Sequence, residues 1–79
     1  MLYLEIISPE KRLFAGEILI VKLPGTLGSF EIMENHAPII STLAKGKIVV
    51  KETTGTTTYF EVNGGMIECS KNEIKVLVE

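Results

Sequence analysis

Residues 60–79 read FEVNGGMIECSKNEIKVLVE, and this stretch decides the fold class. Its apolar residues recur at every second position, the period of a strand with one buried face. Ile67 and Cys69 fall in the same phase, which predicts a buried or half-buried thiol. Asn63-Gly64-Gly65 interrupts the pattern with a strong turn signal. MIECS and EIKVLVE then pair across Lys71-Asn72 as a second hairpin.

The same period runs outward to the N-terminus and changes phase at punctuation. In LYLEIIS (residues 2–8), Leu2, Leu4 and Ile6 share one face and Tyr3, Glu5 and Ile7 the other. Pro9 closes that strand because it has no N–H for a ladder. KRLFAGE and ILIVKLP follow as strand segments, ending at the turn dipeptide Pro24-Gly25. SFEIM, HAPIISTL and KIVVKE are further strands, the last two divided by Lys45-Gly46. Threonines around Gly55 mark a polar hairpin tip before YFEV. No segment shows ten residues of helical periodicity. The pattern predicts an all-β domain over residues 1–79, a two-sheet antiparallel β-sandwich of roughly eight to ten short strands. Ile39, Val49, Phe60 and Val76 are expected to face the core between the sheets.

Composition excludes several function classes. The chain has 79 residues, 46% apolar and 23% charged, an ordinary globular balance. Net charge is −2, with the eight basic residues scattered, so the footprint of a nucleic-acid binder is missing. One cysteine permits no internal disulfide and fits a reducing compartment. No signal peptide opens the chain, and the longest aliphatic run, Ile18–Val21, is far too short to span a bilayer. All ten acids are glutamate, against an EF-hand type calcium loop.

The chemistry-bearing residues form no reaction centre. His36, the single histidine, has no aspartate to orient it and no serine in a nucleophile elbow. One His, one Cys and dispersed glutamates give no zinc spacing. Gly25 and Gly28 lack the Gly-Lys-Ser/Thr ending of a phosphate loop. Glu31 and Glu34 read as solvated carboxylates, and no group nearby would split their pKa values. The residues alone describe a non-catalytic β module. A free-standing peptide- or ligand-binding module fits them too, and an enzyme built on His36 with Glu31 or Glu34 is a distant third.

SFEIMENHAPIISTLAKGKI (29–48) followed by FEVNGGMIECSKNEIKVLVE resembles the N-terminal β-sandwich of the epsilon subunit family of F-type ATP synthase, called delta in mitochondria. The resemblance lies in His36-Ala37-Pro38-Ile39-Ile40, Leu43, Gly46, Gly64-Gly65-Met66-Ile67-Glu68 and Val76-Leu77-Val78, in that order. Ser8, Phe14 and Gly16 in the opening segment also match. Three positions depart from the pattern. Glu34-Asn35 stands where the family often has Pro-Gly, and Asn is the next best residue for a left-handed turn. Glu31 replaces a common glycine.

The resemblance implies a non-catalytic central-stalk subunit that joins the gamma subunit to the c-ring and supports coupling of proton translocation to ATP synthesis. It implies no cofactor, and membrane contact only through the membrane-sector partner, at the cytoplasmic face of the bacterial inner membrane. Ser8, His36 and Ser41 are the implied gamma-facing residues. Thr26, Ser29, Phe30 and Glu31 are the implied c-ring residues. Most bacterial members continue into an inhibitory helical hairpin, and the end at Glu79 is read as a naturally short form.

Overall fold

The computed structural model describes residues 1–79. Eight strands make up the chain: β1 Leu2–Ile7, β2 Arg12–Gly25, β3 Gly28–Met33, β4 Ile39–Leu43, β5 Gly46–Glu52, β6 Thr57–Val62, β7 Gly65–Ser70 and β8 Glu73–Val78. Lys71 and Asn72 both take positive φ (52° and 63°), the geometry of the two-residue hairpin loop whose twist matches its strands.

β2 shapes the molecule. Its first half pairs with β1 and its second half with β3 and β5. Ladder order is β1-β8-β7-β4-β2-β5-β6, with β3 on β2 and β1 also closing on β2. One layer therefore holds β4, β7, β8, β1 and the start of β2, and the other holds β3, the end of β2, β5 and β6. Seven of the ladders are antiparallel, and β1 with β8 is the parallel one.

The two segments read separately as KRLFAGE and ILIVKLP are one continuous strand. Leu19 is the extra residue, since Ile18 pairs with Glu52 and Ile20 with Lys51. Such a bulge flips the alternation and bends the strand. Phe14, Gly16 and Ile18 face inward before it and Val21 and Leu23 after it, while Leu19 is left exposed. Pro24-Gly25 is not the turn. The chain reverses at Thr26-Leu27, between Gly25 and Gly28, which are themselves paired.

Sixteen apolar residues, Cys69 among them, form one core between the layers. Leu2, Leu4 and Ile6 are all in it, as the alternation predicts. Val76 is fully buried, and Ile39 and Phe60 pack against the core from half-buried positions. The Phe60 ring meets Phe14 edge-on at 6.0 Å. Val49 corrects the sequence reading. Ile48 and Val50 hold the inward phase of β5, and Val49 sits in an outward row with Lys22, Glu31 and exposed Tyr59. In a run of three β-branched residues, apolarity alone does not give the phase.

Candidate interaction surfaces

The Glu34–Pro38 loop is held from three directions. Asn35 has φ 68°, the left-handed conformation that this residue tolerates. Its N–H donates to Asn72 Oδ1 at 2.6 Å, and Asn72 Nδ2 donates back to Asn35 Oδ1 at 3.2 Å. The β3–β4 loop is thus clasped to the β7–β8 turn. Glu34 meets the N-terminal ammonium at 2.6 Å, both groups being largely exposed, so this contact adds little. His36 donates its main-chain N–H to Met33 O at 3.2 Å and its Nδ1–H to Ala37 O at 2.6 Å. A half-buried imidazole that caps its own loop in this way is a strut.

Ser8, His36 and Ser41 do not converge. Ser8 follows the end of β1, where its Oγ accepts from Lys11 N (3.2 Å) and donates to Lys11 O (3.0 Å), closing the Ser8–Lys11 turn. His36 lies toward the other end, beside Asn72, whose carbonyl accepts from Tyr3 N. The six residues of β1 put about 20 Å of strand length between those ends. Ser41 is midway along β4, opposite Ile67, on the inward side of the layer.

Thr26, Ser29 and Phe30 do share a groove, and Ser41 shares it with them. Its walls are the β2–β3 tip and β4, including Leu27, Ile39, Ile40 and Thr42. Thr26 ties the walls together, through Thr26 N to Thr42 O at 3.2 Å and its Oγ1 2.9 Å from Thr42 Oγ1. Phe30 faces inward in register with Leu23 and packs on the core from a partly buried position. Ser29 and Glu31 point the other way. Glu31 is exposed and opposite Lys22, a cation that its own sheet supplies. From the register of β4 with β7, Ile39–Ser41 pair on one side only, so this stretch is an open edge above the groove.

Sequence reasoning missed an exposed apolar patch. Ile40, Met66 and Leu77 are 68%, 49% and 50% exposed, in adjacent outward rows of β4, β7 and β8. Leu27, at the hairpin tip, is fully exposed. The signal was present in the alternation: Ile40, Met66 and Leu77 are apolar residues in the phase opposite to the core. Isolated exposed apolar residues are common, and only the pairing of β4 with β7 and β8 gathers these.

No group of three or more His, Cys or Glu side chains is placed to hold a metal. Burial pushes the Cys69 thiol above its ordinary value of 9.0, the direction expected for an inert core cysteine. No helix is long and apolar enough to cross a membrane. The arrangement offers surfaces for docking.

The family model for the ATP synthase delta/epsilon chain β-sandwich domain matches residues 1–79. The chain belongs to this family. The ATP synthase epsilon chain of Caulobacter vibrioides is 37% identical over 78 residues, which are 99% of this chain and 90% of that one. The epsilon chain of Chlorobium limicola is 37% identical over 76 residues, with 96% and 86% covered. That of Xanthomonas euvesicatoria is also 37% identical, but the chain spans only 54% of its length. Relatives of this sandwich therefore come in short and long versions. Among solved structures, a chain of the Euglena gracilis mitochondrial ATP synthase superposes with a TM-score of 0.90 at 14% identity. A chain of the Tetrahymena thermophila central stalk and c-ring gives 0.81 at 14%. The present chain covers 98% of itself in both, and 49% and 62% of those longer chains, so these likenesses establish the sandwich fold.

Proposed function

We propose that this chain is the non-catalytic foot of an ATP synthase rotor, held between the gamma subunit and the c-ring and turning with them. The observation that carries this reading is the match of the delta/epsilon sandwich family along the whole chain. The central-stalk and c-ring setting of the Tetrahymena relative of the fold supports it. In this role the subunit does no chemistry. It transmits torque and completes the stalk, at the cytoplasmic face of the bacterial inner membrane, and touches the membrane only through its partner.

The c-ring contact is assigned to the β2–β3 tip with Thr26, Ser29, Phe30 and Glu31, and the gamma contact to Ser8, His36 and Ser41. The spread of the second set along about 20 Å suits a long partner better than a compact ligand. Ile40, Met66 and Leu77 extend the gamma surface, because an apolar patch on an otherwise polar sheet face is what a protein partner covers. Affinity purification of the tagged chain from detergent-solubilised membranes of its source tests the assignment. Gamma and c subunits should co-purify. Recovery of the chain without either would overturn the proposal.

A further inference from the structure

We infer that Asn63 is a site of spontaneous deamidation, which converts the β6–β7 turn from neutral to anionic in the folded protein. The chain has three asparagines, and the fold treats them differently. Asn35 and Asn72 hold each other through their side-chain amides, and residues with side chains, His36 and Glu73, follow them. Asn63 is exposed, has no hydrogen bond to its side-chain amide and is followed by Gly64. Gly64 lies between the last residue of β6 and the first of β7, and its N–H donates to none of the turn or loop acceptors. The nucleophile and its target are neighbours in sequence, neither the Gly64 N–H nor the Asn63 side-chain amide donates a hydrogen bond, and Gly64 has no Cβ to block the approach. Gly64 itself is buried, with its carbonyl accepting from Glu79 N at 3.1 Å.

The reaction balances with water alone. Gly64 N loses its proton and attacks Asn63 Cγ. The Cγ–Nδ2 bond breaks, and the amide nitrogen leaves as ammonia, carrying the transferred proton. Water then opens the cyclic imide at either carbonyl, giving aspartate or isoaspartate. No redox partner is involved.

Where the new charge lands gives the site its consequence. Asn63 lines a shallow surface hollow with Lys45, Gly46, Lys47, Glu61 and Val62. A carboxylate there gains two lysines as neighbours, and Lys47 already leans on the Tyr59 ring, with Nζ 5.3 Å from its centroid. The two products differ in what they ask of the backbone. Aspartate leaves the chain path unchanged. Isoaspartate adds a methylene to the main chain just before Gly64 and Gly65. Gly65 packs so closely against β8 that a Cβ on it would collide with Leu77 O. The isoaspartate form is therefore the destabilised one.

The test is timed incubation of the folded protein at neutral to mildly alkaline pH, followed by peptide mapping. Protein L-isoaspartate methyltransferase serves as the probe for isoaspartate. The expected result is the mass gain of an NH2-to-OH exchange at Asn63, with Asn35 and Asn72 intact, and loss of that product in Asn63→Gln. Asn63→Asp should keep the wild-type unfolding midpoint, while the isoaspartate fraction of the aged protein should unfold earlier. Asn63 remaining intact in the folded protein while a peptide of residues 59–68 converts fully would overturn the inference. So would equal conversion at all three asparagines.

Discussion

Replacing Ile48 and Val49 separately by alanine separates the inward phase of β5 from the outward one. Ile48 is fully buried in the core between the layers, opposite half-buried Phe60. Its truncation removes apolar contact and leaves a cavity that the rigid ladders on both sides of β5 cannot collapse, a cost of about 2–5 kcal/mol. Against a total of about 4–12 kcal/mol for a domain of this size, that is a large share. Val49 lies in the outward row with Lys22 and Tyr59, and its loss costs about 0.5–1 kcal/mol, mostly as strand preference. Urea denaturation at unchanged slope reads the difference directly. Should Ile48→Ala fail to fold, Ile48→Val supplies the comparison, at about 0.5–1.5 kcal/mol against a near-neutral Val49→Thr. A Val49→Ala variant that loses as much stability as Ile48→Ala would show that β5 is assigned to the wrong phase.

Other outcomes follow from the same geometry. Gly65→Ala, with φ at 155° and a Cβ driven into Leu77 O, should lose about 3 kcal/mol or more by thermal unfolding, whereas Gly55→Ala, whose Cβ would meet nothing, should lose about 1 kcal/mol. Cys69 has a folded-state pKa above its unfolded value, so its contribution to stability is complete below pH 9.0 and is lost as the pH rises through the folded value. Denaturation midpoints of wild type and Cys69→Ala should therefore converge as the solution is made alkaline, and a thiol reagent should label native Cys69 far more slowly than urea-unfolded protein. Added to its cognate catalytic head, the 79-residue chain should leave steady-state ATP hydrolysis near the level without it, and calorimetry should detect no ATP binding; strong inhibition would refute the docking-only reading. Glu31→Lys should weaken rotor assembly at low salt and leave the isolated domain folded, because an exposed ion pair contributes only about 0–1 kcal/mol and is screened.

Much of this architecture was written in the alternation. β1, β7 and β8 each follow a single inward phase, and their turns carry Pro9, Gly64-Gly65 and Lys71-Asn72, so both existence and facing were legible. β2 was not, because a bulge is one extra residue with no composition of its own. Leu19 looks like any strand leucine, and only the ladder to β5 shows that it is skipped. Val49 was misplaced for a related reason: Ile48-Val49-Val50 offers two phases and no polar residue to choose between them. The parallel β1–β8 ladder joins the two ends of the sequence, a pairing that no local pattern encodes.

The site residues divide in the same way. Asn35 could be read as a left-handed turn residue from its type, and its φ agrees. Its partner Asn72 is 37 positions away and could not be read. His36 attracted attention as a lone imidazole, but its ring hydrogen bond goes to the next residue's carbonyl. Phe30 is a c-ring residue only by resemblance, and its neighbours Ser29 and Glu31 point outward while its own ring points in. Ile40, Met66 and Leu77 belong to three strands, and only the sheet makes them one patch.

Site-directed cross-linking tests the rotor assignment most directly, because Cys69 is buried and a new surface cysteine would be the one reactive thiol. Ser29→Cys at the hairpin tip, probed in assembled membranes with a short bifunctional reagent, should join this chain to the c subunit. Met66→Cys on the outer sheet face should join it to gamma. If Ser29→Cys gives no c-subunit adduct while Met66→Cys gives none with gamma, in membranes where the enzyme is intact and coupled, this chain is not the foot of the rotor.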